Sequence, residues 1–167
     1  IDDGPDPEVT PRVLDLLDSA GTKASFFCIG SRARRSPALC REIITRGHRI
    51  ENHGDSHSRA FATFGLRRIG ADIAAAQHTL ADITGQVPRF FRPTAGLRNP
   101  LLDPVLARLD LQLASWTRRP FDGREGDPQR VYRRLTSGLD AGDILLMHDG
   151  YAARTPTGEA VILAVLP

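Results

Sequence analysis

The sequence predicts an α/β fold in which a mostly parallel sheet closes into a distorted (β/α) barrel within a single domain. Short apolar runs alternate with amphipathic stretches of helical period along the whole chain, which is the pattern of β-α-β units. The strands are short and numerous, which favours closure of the sheet. No linker or repeat interrupts the 167 residues. We therefore expect one catalytic domain over residues 1–167, with its N-terminal strand and C-terminal helix incomplete.

The first half of the chain supplies three predicted strands and three predicted helices. The strands are the strand tail 1–3, the apolar run 24–29 and the brief segment 49–50. Apolar stripes of 3.6-residue period predict helices that begin near Pro7, near Ser36 and at Leu66. Glycines follow all three helices, because glycine adopts the left-handed conformation of a helix C-terminus at little cost.

The second half continues the alternation. Strands are predicted at 89–91, 111–116 and 143–147. Helices are predicted from Asn99 through Leu109, from the cap at Asp127 through Leu135, and from Thr157 onwards. Polar side chains follow the strands, and in α/β barrels the carboxyl ends of the strands build active sites.

Composition restricts the function classes. Hydrophobic content of 41%, charged content of 25% and a formal net charge of +2 are those of an ordinary globular domain, and this charge argues neither for nor against nucleic acid. We expect no nucleic-acid partner. No apolar run is long enough for an integral membrane segment. No signal peptide is visible, but the chain opens inside a strand, so localisation stays open. We expect Cys28 to be a buried free thiol and leave a bridge to Cys40 open.

The most informative stretch is 48–57, which holds three of the five histidines. His53 and His57 are separated by turn-forming residues, so a loop rather than a helix would aim both imidazoles at one point. A zinc site needs a third protein ligand, which the Asp2-Asp3 pair could supply. The alternative is that both are ordinary loop histidines. We interpret His48 as structural and His78, on the long helix, as facing solvent.

Four motifs together resemble the polysaccharide deacetylases, carbohydrate esterase family 4. Asp2-Asp3-Gly4-Pro5 is similar to the end of the family motif Phe-Asp-Asp-Gly-Pro, with Ile1 in place of Phe. Asn52-His53-Gly54-Asp55-Ser56-His57 resembles Asn-His-x-x-Ser-His. Phe91-Arg92-Pro93-Thr94-Ala95-Gly96 resembles Phe-Arg-Pro-Pro-Tyr-Gly, and Leu145-Leu146-Met147-His148-Asp149 resembles Leu-Leu-x-His-Asp. Each motif alone is weak, but their shared order makes the resemblance specific, and it implies a distorted (β/α) barrel.

The resemblance implies a metal site. Asp3 would bind a divalent ion together with His53 and His57. Two imidazoles and a carboxylate suit Zn²⁺, and Co²⁺ or another divalent ion could take the same ligands.

The resemblance also implies the catalytic roles. Asp2 would be the base and Arg92 would orient it. His148 would be the general acid, with Asp122 as its partner. The backbone N–H of Ala95 would stabilise the oxyanion. An opposite charge keeps a carboxylate ionised, and an imidazole titrates near neutrality.

The chain departs from the family at the fourth motif. Phe121-Asp122-Gly123 stands where the family often has Asp-Trp, and Ala95 replaces a Tyr. Trp116 lies upstream. These changes leave the acyl-pocket wall, and with it the choice of substrate, open.

The function expected from the resemblance is removal of N-acetyl groups, or also O-acetyl groups, from a glycan by a metal-activated water. The partner is then an acetylated glycan, and the family resemblance places the protein outside the cytoplasm or at the cell envelope. Two alternatives stay open: hydrolysis of a small non-sugar amide on the same fold, and a glycan-binding domain without catalysis. A glycan-binding domain without catalysis would not need six intact polar site residues. The oligomeric state is not predicted.

Overall fold

The computed structural model describes residues 1–167 and shows four regular parallel strands. These are β1 (Ser25–Cys28), β2 (Arg49–Asn52), β3 (Phe90–Phe91) and β4 (Gln112–Leu113), hydrogen-bonded in that order. The helices are α1 (Thr10–Ser19), α2 (Gly30–Arg35), α3 (Pro37–Thr45), α4 (Leu66–Thr84), α5 (Leu102–Arg108), α6 (Pro128–Thr136) and α7 (Val161–Val165). Single 3₁₀ turns form at Phe61–Thr63 and Thr94–Gly96.

Isolated bridges close the sheet into a ring. Beyond β4 the chain pairs with the segment before His148 through Arg118 and Leu145. His148 in turn pairs with Asp2, and Asp2 pairs with Phe27 of β1. Every one of these bridges is parallel. The predicted α/β class and distorted barrel are therefore confirmed, with the irregular part of the barrel next to His148.

Two apolar clusters cover the barrel. The larger one packs α1, α3, α6 and α7 against β1 and β2, and it includes Val13, Leu14, Phe26, Ile43 and Ile162. The smaller one joins α4 and α5 to Phe91 through Phe61, Phe64 and neighbours. These clusters anchor the strand ends from which the site residues emerge. No helix of the chain has the length and apolar character that crossing a membrane requires.

Two predicted strands differ from the structure, and one helix was not predicted. The segment 143–147 is not a regular strand, because it pairs only through an isolated bridge at Leu145. Ile144 and Leu145 are exposed, and only the two residues before His148 are buried. The strand 111–116 is regular for two residues only. The six-residue helix α2 was not predicted, because its sequence after Gly30 is mostly polar and carries no apolar stripe.

Several helices begin later than predicted. The first begins at Thr10 rather than near Pro7. The helix expected from Asn99 begins at Leu102, because Asn99 uses its side chain to accept from Leu101 N at 2.8 Å and to donate to Phe64 O at 3.0 Å. The last helix begins at Val161.

Candidate metal centre and active site

Two consecutive carboxylates enter the site from the N-terminal segment. Asp2 lies between β1 and the segment ending at His148, and both Asp2 and Asp3 are buried. Neighbouring side chains in a strand point to opposite faces, so the backbone must turn for both to reach one site. The turn begins at Asp3 itself, whose φ of 75° is unusual for a residue with a side chain.

The histidine loop is held from both ends. Its first ligand candidate, His53, directly follows β2 and donates its backbone N–H to Cys28 O at 3.1 Å. The Asn52 side chain accepts from Gly54 N at 2.8 Å. From α4, Asp72 accepts the backbone N–H groups of residues 55 and 56, both at 3.1 Å. These bonds fix the turn that brings His57, at φ 49°, back beside His53.

Three possible metal-ligand atoms, one each from Asp3, His53 and His57, converge without hydrogen bonds between them. The Nε2 atoms of His53 and His57 lie 3.1 and 2.8 Å from Asp3 Oδ1, and the possible ligand atoms of the three residues all lie within 4.8 Å of one another. Asp3 Oδ1 is buried without a hydrogen-bond partner. Burial raises the pKa of Asp3, but the two facing imidazoles outweigh it and hold the pKa below its usual range.

The orientation of His53 fits metal ligation. Its Nδ1 lies 2.7 Å from Arg92 O, and a carbonyl can only accept, so Nδ1 carries the proton. Nε2 then presents a lone pair to the cluster. Such a hydrogen bond behind a ligating histidine is the usual means of fixing its tautomer. The orphaned Asp3 oxygen and this tautomer both fit a divalent cation.

A buried arginine holds Asp2. Arg92 Nη1 donates to Asp2 Oδ1 at 2.5 Å, and Nη2 donates to Ser115 O at 3.1 Å. The guanidinium lies 3.9 Å from the centre of the Phe27 ring. The other oxygen of Asp2 lies 4.0 Å from His53 Nε2. One carboxylate oxygen is thus fixed by the arginine, and the other faces His53, which lies beside Asp3 and His57.

The third histidine of the site, His148, is held by a fully buried acid. Asp122 accepts from His148 Nδ1 at 2.8 Å and from the His148 backbone N–H at 2.7 Å. Burial lowers the pKa of His148, but the hydrogen bond and charge of Asp122 outweigh it, with contributions from Asp3 and Asp2, so the net pKa is raised. Because Nδ1 is bound to Asp122, Nε2 is the nitrogen left for a substrate.

These groups share one open cleft of about 900 Å³. Its lining includes six of the eight predicted site residues: Asp2, Asp3, His53, His57, Ala95 and His148. The other two, Arg92 and Asp122, lie behind the lining and hold Asp2 and His148. Ala95 sits at φ 54° in the 3₁₀ turn after β3.

The structure adds four residues that sequence reasoning did not single out for a role in the site. Trp116 lines the cleft so closely against Gly96 that a Cβ there would lie 2.2 Å from its ring. Tyr151 stacks on His57 with ring centres 5.7 Å apart. Asp72 holds the histidine loop, as described above. None of these three belongs to a motif recognised in the sequence.

Asp149 is the fourth, and its position in a motif was its only sequence signal. It is buried, accepts from the Thr10 hydroxyl and from Gly150 N, and packs so tightly that a Cβ at Gly4 would lie 2.4 Å from its Oδ2. Burial raises its pKa to about 6. Asp149 therefore joins the Asp3–Gly4 turn to α1.

The remaining histidines and the cysteines lie outside the site. His48 is buried, accepts from Ala24 N at 3.2 Å and meets the edge of Phe26. His78 is exposed on α4. Cys28 and Cys40 are both buried and free.

Comparisons with known proteins agree on one family. The family model described as polysaccharide deacetylase matches residues 1–114. A peptidoglycan-N-acetylglucosamine deacetylase of Bacillus cereus is 33% identical over 99% of this chain and 78% of its own length. A family 4 carbohydrate esterase from Streptomyces lividans, solved with acetate, superposes with a TM-score of 0.88 at 28% identity, covering 100% of this chain and 81% of that one.

One structural neighbour limits what the fold can show. A pseudoenzyme of carbohydrate esterase family 4 from Bacillus anthracis also reaches a TM-score of 0.88, at 21% identity, over 99% of this chain and 56% of that one. That likeness is one of fold alone. The fold alone therefore does not establish a catalytic role for this cleft.

Proposed function

The chain belongs to the polysaccharide deacetylase family, and we propose that it removes N-acetyl groups from a glycan with the help of a divalent metal ion. The observation that carries the proposal is the cluster of Asp3, His53 and His57, in which a buried carboxylate oxygen without a hydrogen bond faces two imidazole nitrogens. A site of this composition, with three protein ligands and an open cleft beside it, matches catalytic zinc sites. Zn²⁺ is the ion we expect, and Co²⁺ could take the same ligands.

The ion would supply activation of water and of the acyl group. When bound, such an ion lowers the pKa of water and polarises a carbonyl. Asp2 is the base that takes the proton from the attacking water, and Arg92 keeps one of its oxygens fixed. A positioned base of this kind is most effective when its geometry is set before the substrate arrives.

Breaking the amide bond also needs a proton and a place for negative charge. His148 donates a proton to the departing nitrogen from Nε2, and Asp122 holds its ring and favours the protonated form. The backbone N–H of Ala95 contacts the oxygen on which charge develops, as in other oxyanion sites. The acyl carbon–nitrogen bond breaks, and the products are acetate and an amine.

The size of the cleft favours a glycan over a small amide. It is open and about 900 Å³, and aromatic rings of Trp116, Phe121 and Tyr151 line it. The Bacillus cereus relative acts on peptidoglycan by name. We therefore place this activity on an acetylated glycan of the cell envelope, with residues 1–167 acting as one catalytic unit.

Metal content and acetate release test the proposal together. The purified chain, stripped with chelator and reloaded with Zn²⁺ or Co²⁺, would be assayed on chitin oligomers, peptidoglycan, xylan and small amides. We expect acetate from at least one N-acetylated glycan only after reloading. Turnover of small amides alone would support the amidohydrolase alternative. Glycan binding without turnover would support the alternative of a glycan-binding domain.

A further inference from the structure

Three arginines line the same cleft without any acidic partner. Arg59, Arg119 and Arg124 are exposed on its walls. None of the three side chains forms a salt bridge or a hydrogen bond within the chain, whereas other exposed arginines such as Arg12, Arg98 and Arg130 are paired with acids. The cleft therefore carries three positive charges that the protein itself does not neutralise.

Acids are available nearby but bind other arginines. Arg118, next to Arg119 in sequence, is paired with Asp143 at 2.9 Å. Glu125, next to Arg124, faces Arg130 and Arg134 on α6, each at 3.7 Å. The fold thus neutralises the adjacent arginines and leaves those in the cleft free.

Arg119 is positioned by aromatic rings. Its guanidinium lies 5.2 Å from the centre of Trp116 and 5.0 Å from the centre of Phe121. Both rings line the cleft. Cation–π contacts hold a guanidinium in place without cancelling its charge, so Arg119 is ordered and still available to an anion.

The acids of the cleft do not offset these charges. Asp2 and Asp3 are its only acidic lining residues. Both are buried at its floor, where Asp2 is bound to Arg92 and Asp3 faces two imidazoles. A cleft lined by one sign of charge attracts ligands of the opposite sign.

We propose that Arg59, Arg119 and Arg124 select a glycan whose acetamido groups lie close to carboxylates, in preference to a neutral glycan. This inference rests on the proposed function, because it names the substrate class of the same cleft. A guanidinium matches a carboxylate in shape and can donate two parallel hydrogen bonds to it. Three separate arginines suit a polymer that carries repeated carboxylates.

The test compares one oligomer in two charge states. Soluble peptidoglycan oligomers with free carboxylates and the same oligomers with amidated carboxylates would be given to the zinc-loaded chain and to the triple variant R59Q/R119Q/R124Q. We expect the wild type to prefer the charged form in kcat/KM. The ratio of kcat/KM for the charged oligomer to that for the amidated oligomer should fall by roughly tenfold in the triple variant. The fall is no larger because each exposed ion pair contributes little.

A matched control removes three charges elsewhere. Arg41, Arg67 and Arg108 are also exposed and unpaired but do not line the cleft. The variant R41Q/R67Q/R108Q has the same net charge as the cleft variant and should keep the wild-type preference. Raising the salt concentration should reduce that preference in the wild type and in this control, because mobile ions screen exposed charges.

Binding provides a readout that does not need turnover. Trp116 is the only tryptophan of the chain and lines the cleft, so its fluorescence reports occupancy. A preference for the charged oligomer in binding, without acetate release from either oligomer, would contradict the proposed function and support this inference. Equal binding and equal kcat/KM for both oligomers, or an equal loss of preference in both triple variants, would overturn it. A response to phosphorylated chitin oligomers but not to carboxylated ones would also overturn it.

Discussion

The floor and the rim of the cleft are built in opposite ways. On the floor, Asp2, Asp3 and His53 are at most 6% exposed, and Asp2 and His53 are each hydrogen-bonded to Arg92. On the rim, Arg59 and Tyr151 are exposed, and they belong to loops. Buried polar groups must be fixed and paired because leaving them unpaired costs free energy. The comparison indicates that the floor determines the reaction and the rim determines what is brought to it.

The difference also sets the size of the effects expected from mutation. Removing one partner of a buried ion pair leaves an uncompensated charge and is strongly destabilising. Removing an exposed charge seldom changes stability by more than about 0.5 kcal/mol. Floor variants should therefore change chemistry and stability together, whereas rim variants should change substrate preference alone.

The largest effect should come from Asp3→Ala. It removes the carboxylate that faces both imidazoles, so the metal should be lost and acetate release should fall to background. The loss of metal affinity should exceed the roughly 10- to 100-fold that a residue behind the ligands would cost. Elemental analysis after gel filtration would measure it. Full metal content in this variant would break the assignment of the floor as a metal site.

Asp2→Asn should abolish most activity while metal stays bound. Loss of a positioned base costs on the order of a hundredfold to ten-thousandfold. The variant also leaves the buried Arg92 facing a neutral amide, so the free energy of unfolding should fall by roughly a few kcal/mol. Metal content, kcat and thermal unfolding would be measured side by side. Equal metal loss in Asp2→Asn and Asp3→Ala would refute the division between base and ligand.

His148→Ala should separate amides from esters. An amine leaves only when protonated, whereas the leaving group of an activated aryl acetate departs without a proton. Deacetylation of an N-acetyl sugar should fall on the order of a hundredfold or more, and aryl acetate hydrolysis much less. Asp122→Ala should show the same pattern more weakly. Equal losses on both substrates would show that His148 is not the general acid.

Asp122 should also set the position of the alkaline limb of the pH profile, which is a smaller effect than the loss of His148. A general acid works only while it is protonated, so activity falls as pH rises through its pKa. Asp122 raises the pKa of His148 against the effect of burial, which extends activity toward higher pH. In Asp122→Asn the alkaline limb of kcat/KM should therefore move to lower pH. A limb that stays in place would show that another group sets it.

The sequence predicted the floor better than the rim for a physical reason. Floor residues come directly after strands, where the chain direction and the turn are narrowly constrained, and they occur in short motifs. His53, Arg92 and His148 are each placed by the backbone of the strand before them. Tyr151 and Arg119 reach the cleft from loops whose course depends on distant packing, which no local pattern records.

The predicted secondary structure shows the same contrast between what a local pattern determines and what distant packing determines. Helix α4 carries a long apolar stripe and begins at Leu66, as predicted. The segment 143–147 was predicted as a strand from its apolar residues alone. It pairs only through single bridges, and this leaves Ile144 50% exposed. Periodicity identifies which residues are apolar, but tertiary pairing decides which of them are covered.

Tyr151→Ala should have the smallest effect. It is also the variant that best tests the boundary between floor and rim. The Tyr151 ring lies nearly parallel to His57, at an angle of 20°, and the Arg32 guanidinium lies 4.1 Å from its centre. Since such a ring contact contributes about 0.5–1.5 kcal/mol and Tyr151 is 62% exposed, metal affinity should fall only a few-fold, with kcat nearly restored at saturating Zn²⁺. Tyr132→Ala is the matched control, because that ring is similarly exposed on α6 and does not line the cleft. Competition with a metal-sensitive chelator would compare the two variants. A kcat that stays low in Tyr151→Ala when the metal site is full would assign Tyr151 to the substrate rather than to the orientation of His57.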